Sequence, residues 1–253
     1  MPVHLTTSPA ELAELVVCPG DPDRAALAAR ELLEGARETT RARGLLGFTG
    51  RWRGVPVSIQ ATGMGGASTA IVVTELVELG ARALVRAGSC GGLQPDLPAG
   101  ALVVADAAVA DDGVGLTLAG TTSPPPDAPL TDRLVAAAVA SGRAWARGPV
   151  VSTDLFHDPA GPRAPGWAAR GLLAVEMEAA TIFALAGRHG VAAGCVLGVS
   201  NVLAGAEDAW MGARALRELG MAVCAAALDG LTGAAGGNGG GGAVARGGAQ
   251  EPS

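Results

Sequence analysis

Short apolar runs alternate with segments of helical composition along most of this chain. The strand-like runs occupy residues 15–18, 83–86, 101–110 and 193–200. The helix-like segments occupy residues 23–33, 68–79, 178–189 and 210–228. Several strand-like runs are apolar throughout, which is typical of strands covered on both faces. The alternation predicts an α/β fold with a mixed, mostly parallel sheet between layers of helices.

The remaining segments complete this outline. Strand-like residues 46–51 and 55–62 flank Trp52, Arg53 and Gly54, which predicts a hairpin. We expect a surface loop at the proline-rich residues 117–132, a helix over 134–146, and short strands over 149–152 and 172–175. Residues 232–253 contain nine glycines and almost no large apolar side chains, which predicts a disordered tail after one domain over residues 1–231.

Composition excludes several classes of protein. The net charge of −6 argues against a general nucleic-acid-binding protein, whose surface is usually basic. All 18 basic residues are arginine and there is no tyrosine, so P-loop and kinase chemistry lacks its lysine.

The cysteine spacing and the lengths of the apolar runs argue against a zinc site and against a membrane span. Cys18, Cys90, Cys195 and Cys224 form no C-x-x-C pair, so we expect small core residues rather than a zinc site. No signal peptide and no apolar stretch of about 18 residues is visible. We therefore expect a cytoplasmic protein without a membrane span.

Two strand ends carry arginine beside glycine. Residues 19–24 (PGDPDR) supply Gly20 and Arg24, and residues 86–92 (RAGSCGG) supply Arg86 and Ser89. Each segment alone is typical of an ordinary turn. Because ligands in α/β folds lie at the carboxyl ends of strands, the two together predict an anion site that binds phosphate through guanidinium groups.

Polar groups follow two further strands. Glu176 and Glu178 stand where a strand becomes a helix, and Ser200 and Asn201 end the 193–200 run. Glu178 either stabilises the positive end of the helix dipole or accepts hydrogen bonds from a sugar diol.

These segments together resemble the nucleoside phosphorylase-I family, which contains the hexameric purine nucleoside phosphorylases and the uridine phosphorylases. The matching segments are residues 19–24, 43–50, 62–65, 86–91, 153–156, 175–180 and 199–201. The resemblance implies a three-layer α/β/α fold with a mixed, partly barrel-like sheet. It also implies a homo-oligomer, either a dimer or a trimer of dimers. The implied activity is reversible phosphorolysis of a nucleoside to free base and ribose 1-phosphate, with inorganic phosphate as co-substrate and no metal or organic cofactor.

The resemblance also implies residue roles. The family's phosphate contacts fall on Gly20, Arg24, Arg86 and Ser89, and on Arg43 from a neighbouring subunit. The ribose contacts fall on Met64, Met177, Glu178 and, for the 5′-hydroxyl of the adjoining subunit's ligand, His4. The base-binding positions fall on Phe156, Glu176, Ser200 and Asn201. His157 and His189 match no family residue and are interpreted as surface or helix-end residues.

Asn201 departs from the family's pattern. Many adenosine-cleaving members carry an aspartic acid there, with an activating arginine at the position of Arg214, to protonate the purine N7. An amide has no titratable proton to give. Asn201 therefore favours 6-oxopurines, whose O6 spreads the charge of the departing base, so we expect inosine and guanosine as substrates.

Three alternatives remain at this point. A uridine phosphorylase would read uracil through a Gln-x-Arg pair; Arg163 is present here, but no glutamine precedes it. A nucleosidase of the same fold would use water and would not need Arg24, Arg43 and Arg86. A non-catalytic nucleoside-binding protein would keep the fold and lose the chemistry.

Overall fold

The computed structural model describes residues 2–119, 124–161, 163–203 and 210–233. The strands are β1 (Leu15–Cys18), β2 (Glu34–Thr40), β3 (Gly47–Trp52), β4 (Val55–Gln60), β5 (Ala83–Gly92), β6 (Leu102–Asp111), β7 (Trp145–Thr153), β8 (Ala174–Glu176) and β9 (Ala192–Val202). The helices are α1 (Pro22–Leu32), α2 (Gly66–Glu78), α3 (Gly113–Ala119), α4 (Ala128–Ala140), α5 (Ala164–Ala169), α6 (Ala179–His189) and α7 (Ala213–Thr232).

All of these strands belong to one mixed sheet. Their order is β2-β3-β4-β1-β5-β8-β7-β6-β9, and β9 pairs back to β5. Strands β1, β4, β5 and β9 run parallel along their shared ladders, whereas β8 is antiparallel to β5 and β6 is antiparallel to β9. The pairing of β9 with β5 closes five strands into a barrel, and β1 to β4 extend from it. The predicted partly barrel-like sheet is confirmed.

Helices cover both faces of the sheet. Successive strand residues belong to opposite cores: Val16 packs with α2 and α6, whereas Val17 packs with α1, α4 and α7. Leu84 and Val85 of β5 divide in the same way. Since both faces are buried, both members of each pair must be apolar, which explains the continuous apolar runs in the sequence. The predicted three-layer arrangement is confirmed.

The predicted hairpin is confirmed at β3 and β4. Its two-residue turn has positive φ at both Arg53 (49°) and Gly54 (81°), and this conformation matches the right-handed twist of the paired strands. The Arg53 guanidinium lies 3.3 Å from Asp229 Oδ1, a contact that holds the turn. The Trp52 indole N–H donates to Asp229 Oδ1 at 2.9 Å, which ties the hairpin to α7.

Two predicted segments have wrong boundaries, and one strand was not predicted. Residues 117–132 are not all loop, because α3 extends to Ala119 and α4 begins at Ala128, where Asp127 caps it by accepting the Leu130 N–H at 2.8 Å. The predicted helix over 134–146 ends at Ala140, since Gly142 has a φ of 69° and β7 starts at Trp145. Strand β2 was not predicted: it is an exposed, charged edge strand held by its pairing with β3.

The cysteines, the end of α7 and the lengths of the helices bear on three further predictions. All four cysteines are free and buried, as predicted, and burial raises the pKa of Cys18 and of Cys224 to about 12. Helix α7 continues to Thr232, and the predicted tail otherwise falls on residues outside the described ones. Across the described ranges, no helix combines the length and the apolarity needed to cross a membrane.

Candidate functional site

A cavity of about 1020 Å³ opens where β1, β5, β7, β8 and β9 end. Most of the predicted site residues line it, although they come from distant parts of the sequence. Those residues are Gly20, Arg24, Met64, Arg86, Ser89, Phe156, Glu176, Met177, Glu178, Ser200 and Asn201. The rule that ligands of α/β folds lie at carboxyl strand ends therefore identifies the right edge of this sheet.

Arg86 is the buried cation at the bottom of the cavity. It lies on β5 in register with Cys18, the last residue of β1, so the chain turns away beside it at Gly20. A side chain at Gly88 would come within 2.6 Å of Arg86 Cζ, and one at Gly20 within 3.4 Å of Nη1. These glycines therefore make the room that the guanidinium occupies. Within the described chain Nη1 is buried and lacks a hydrogen-bond partner.

Glu176 fixes Arg86 and the start of α6. One carboxylate oxygen accepts from Arg86 Nε at 3.1 Å and from the Glu178 N–H at 2.9 Å. The Ala179 N–H also donates to the carboxylate, and the Ser152 hydroxyl forms a short hydrogen bond to it. Glu176 lines the cavity as predicted, but its oxygens already accept several protein hydrogen bonds. The geometry thus gives it a supporting position, whereas its predicted contact with the base stays a prediction.

Glu178 presents its carboxylate to the cavity from the N-terminus of α6. The Gly65 N–H donates to Oε1 at 2.6 Å, and Oε2 forms an ion pair with Arg86 Nη2. Gly65 has a φ of 85°, which only glycine adopts easily, so the turn before α2 can aim this amide at the carboxylate. Burial and the neighbouring Glu176 charge raise the pKa of Glu178 against the opposing effect of Arg86.

Arg24 is the second cation of the cavity. Its Nη1 donates to Ala87 O at 3.3 Å, and its Nη2 lies 3.5 Å from Ser89 Oγ. Burial and the positive charge of Arg86 both lower the pKa of Arg24. Burial alone would also lower the pKa of Arg86, but Glu178 and Glu176 raise it instead. Two guanidinium groups that repel each other in a water-poor pocket are stabilised by an anion between them.

Aromatic side chains also line the cavity. The ring centroids of Phe156 and Trp210 are 5.9 Å apart, and both side chains are more than half exposed, at 62% and 52%. The His157 ring packs edge-on against Phe156 at 4.9 Å. Exposed aromatic rings facing a cavity are available to an aromatic ligand. His157 is exposed, as expected of a surface residue, and it also lines this cavity.

Asn201 also lines the cavity and is buried on β9. Ser200 Oγ donates to Cys90 O at 3.0 Å and lies 3.1 Å from Asn201 Oδ1. A bulge between Cys90 and Gly91 shifts the register of β5 against β9 just before Asn201. Such bulges re-aim side chains at the rims of barrels.

Three predicted site residues are not brought to the cavity of their own chain. His4 is bound to Glu75, whose carboxylate accepts from Nδ1 at 2.7 Å and from the backbone N–H groups of residues 3–5. Arg43 is exposed beyond β2. Arg214 is 94% exposed at the start of α7 and pairs with Glu218 at 2.9 Å.

Two aromatic residues of the cavity were not predicted. One is Trp167, which lines the cavity together with Arg163. Trp210 also lies there, and it was predicted only as the first residue of a helix that in fact begins at Ala213. Their signal in the sequence is the rarity of aromatic residues, which make up only 3% of this chain. No group of three or more His, Cys, Asp and Glu side chains within the described residues is placed to hold a metal ion.

Comparisons with known proteins agree with this geometry. Residues 14–228 match the family described as Phosphorylase superfamily. The relative named Purine nucleoside phosphorylase DeoD-type from Geobacillus kaustophilus is 39% identical over 211 residues, which is 82% of this chain and 89% of that protein. Proteins of the same name from Caldanaerobacter subterraneus (39% over 216 residues, 82% of this chain and 90% of the relative) and Myxococcus xanthus (39% over 201 residues, 78% and 84%) are similar. The chain belongs to the phosphorylase superfamily.

Proposed function

We propose that this protein is a purine nucleoside phosphorylase, which exchanges the base of a purine (deoxy)ribonucleoside for inorganic phosphate. The single observation that carries the proposal is the sharing of one cavity by Arg24 and Arg86 with Glu178 and Asn201. Cations, a sugar-binding carboxylate and a base-binding amide are the groups that this reaction requires. The names of its relatives point to the same activity.

The phosphate would bind to Arg24 and Arg86. The unpartnered Arg86 Nη1 and the Arg24 guanidinium offer charge-assisted hydrogen bonds, and Ser89 and the Gly20 backbone offer neutral ones. Each hydrogen bond to a charged group contributes roughly 1.5–3 kcal/mol. Phosphate would also relieve the mutual repulsion of the two guanidinium groups.

The sugar would lie above the phosphate, held by Glu178 together with Met64 and Met177. Glu178 can accept hydrogen bonds from the 2′- and 3′-hydroxyls when it is ionised. A phosphate oxygen then forms the new bond to C1′ while the bond from C1′ to the base nitrogen breaks and leaves its electron pair on the base. The proton lost by hydrogen phosphate balances the proton gained by the base. Holding both reactants in attack geometry supplies much of the rate.

Asn201 favours 6-oxopurines in this proposal. Its amide can donate a hydrogen bond to N7 or O6 but cannot transfer a proton at working pH. Negative charge on the departing base is stabilised best where O6 shares it. We therefore propose inosine and guanosine as preferred substrates, with adenosine bound but cleaved slowly.

The pyrimidine alternative is not favoured by the position of Arg163. Its Nη1 contacts Asp111, its Nη2 donates to Thr153, and its Nε pairs with Asp158. A uracil-binding role would require the guanidinium to leave these partners.

The predicted homo-oligomer is part of the proposal. His4 and Arg43 lie away from the cavity of their own chain, as residues that serve a neighbouring subunit would. The reaction as proposed uses phosphate as co-substrate and needs no metal or organic cofactor. The cytoplasmic location stays a prediction.

A substrate panel tests the function. The purified full chain is incubated with inosine, guanosine, adenosine and uridine, each with and without phosphate, and free base and ribose 1-phosphate are quantified. We expect phosphate-dependent cleavage of inosine and guanosine with both products in equal amounts. Equal cleavage without phosphate would indicate a nucleosidase, faster cleavage of uridine would indicate a uridine phosphorylase, and no cleavage of any substrate would indicate a binding protein.

A further inference from the structure

The loop between β7 and α5 brings Phe156 to the cavity without regular structure of its own. Leu155, Phe156 and His157 are all exposed, so little apolar burial stabilises the loop. Segments with few buried contacts open at low free-energy cost unless specific bonds hold them. The position of Phe156 therefore depends on the polar contacts that fasten this loop to the barrel.

Arg163 makes most of those contacts. Its Nη1 lies 3.1 Å from Asp111 Oδ2 at the end of β6, and its Nη2 donates to Thr153 Oγ1 at the end of β7 at 2.7 Å. Its Nε forms an ion pair with Asp158 Oδ2 within the loop at 2.6 Å. One side chain thus joins two barrel strands to the segment that carries Phe156.

Trp167 packs against Arg163 and is held in place by its own contacts. The Arg163 Cζ lies 4.9 Å from the centroid of the Trp167 ring, a cation–π distance, and the Trp167 indole N–H donates to Asp111 Oδ2 at 2.9 Å. Trp167 is buried in a small apolar cluster with Leu93, Val151 and Leu172. At the other end of the loop, Asp154 Oδ2 accepts the Gly113 N–H at 2.7 Å.

We propose that Arg163 is a positioning residue for the base: it holds the 154–161 loop so that Phe156 faces the cavity. Its guanidinium does not touch the substrate, because its nitrogens are occupied by Asp111, Thr153 and Asp158. The kinetic consequence rests on the proposed function. The structural consequence, that Arg163 holds the loop against the barrel, does not rest on the proposed function.

Kinetics with Arg163→Gln test the first consequence. We expect the KM for inosine to rise roughly tenfold, because a loop that opens more often carries Phe156 away from the base, while the KM for phosphate stays within about twofold. Arg163→Lys retains a cation for one carboxylate and should recover part of the inosine KM. The matched control is Arg147→Gln, because Arg147 also bridges two aspartates, Asp106 and Asp132, but lies outside the cavity. Equal increases in both KM values, or no change in either, would overturn the proposal.

Proteolysis tests the second consequence without any activity. Chymotrypsin cuts after exposed aromatic residues and leucine, and Leu155 and Phe156 offer such sites once the loop can leave the barrel. We expect Arg163→Gln to be cut in this loop roughly tenfold faster than the parent protein and Arg147→Gln. Asp158→Asn removes only the contact inside the loop and should accelerate the same cut if Arg163→Gln does not fold. An unchanged cutting rate in Asp158→Asn would refute the fastening role, even in a protein that cleaves no nucleoside.

Discussion

Gly65 donates its backbone N–H to Glu178 Oε1 at 2.6 Å, so the turn before α2 fixes a carboxylate that enters the cavity from α6. The same carboxylate pairs with Arg86 through its other oxygen. A sugar that binds Glu178 would therefore be linked through this carboxylate to Arg86, the cation that would hold the phosphate. This coupling connects the two halves of the proposed reaction.

Glu178→Gln should weaken the link between sugar binding and Arg86 while keeping a side chain of nearly the same size in the cavity. A glutamine accepts through only one atom and carries no charge for Arg86. We expect kcat/KM for inosine to fall roughly 10- to 100-fold, which corresponds to the loss of one or two charged hydrogen bonds. The control is Glu31→Gln, an exposed carboxylate on α1 that pairs with Arg30 at the surface. Steady-state kinetics that gave the two variants the same kcat/KM would contradict the role of Glu178.

Arg24→Ala should act on phosphate. We expect the KM for phosphate to rise roughly 10- to 100-fold while the KM for nucleoside changes little, because the lost hydrogen bonds are to the anion. The matched control is Arg30→Ala, which removes an exposed arginine from the same helix. Initial rates at varied phosphate measure the effect. A selective rise in the nucleoside KM would show that Arg24 has been assigned to the wrong substrate.

Asn201→Asp tests the account of base preference. A carboxylic acid at this buried position can donate a proton to N7, so cleavage of adenosine should increase relative to inosine, and most at lower pH, where the acid is protonated. The measured quantity is the ratio of kcat/KM for the two nucleosides across a pH series. A ratio that is the same in the parent protein and in Asn201→Asp would refute the proposed role of the amide.

Glu75 should make stability depend on pH. Burial opposes ionisation, but hydrogen bonds from His4 and from three backbone N–H groups lower the pKa of Glu75 from 4.5 to about 2. Because the folded pKa is the lower one, the stabilisation is fully present above about pH 4.5 and is lost as the pH falls through about 2.

We therefore expect Glu75→Gln to lower the free energy of unfolding by roughly 1–3 kcal/mol near neutral pH. Chemical denaturation at several pH values should show the two proteins converging as the pH approaches 2. Glu78→Gln changes an exposed carboxylate on the same helix and serves as the control. A difference between Glu75→Gln and the parent that is independent of pH would contradict the assigned ionisation.

Much of the layer architecture is predictable because burial leaves a direct signal. Val16 and Val17 must both be apolar when helices cover both faces, and that requirement is visible in the sequence. The edge strand β2 leaves no such signal: its residues are largely exposed, and only pairing with β3 makes them a strand. The early start of α4 was missed because Pro129 suggests a loop, although proline is compatible with a first helical turn.

Part of the candidate site is predictable for a similar reason. Glycine beside arginine indicates Gly20 and Arg24 after β1, and the same pattern indicates Arg86, although residues 86–92 continue β5 instead of forming the predicted turn. Nothing local to the sequence shows that Glu176 is occupied by Arg86, Ser152 and the start of α6, because those partners come from three separate segments. Trp167 and Trp210 were not predicted as cavity residues because their positions depend on contacts between segments that are distant in the sequence.

The pairing of β9 with β5 divides the cavity residues into those that the barrel fixes and those that lie on irregular segments. Strand β5 carries Arg86 and Ser89, and β9 carries Asn201. The hydrogen bonds between the two strands therefore fix the distances between these residues. Phe156, His157 and Trp210 stand on irregular segments outside that ladder. Substitutions on those segments can change the contacts of Phe156, His157 and Trp210 with a ligand, while the ladder keeps the spacing of Arg86, Ser89 and Asn201.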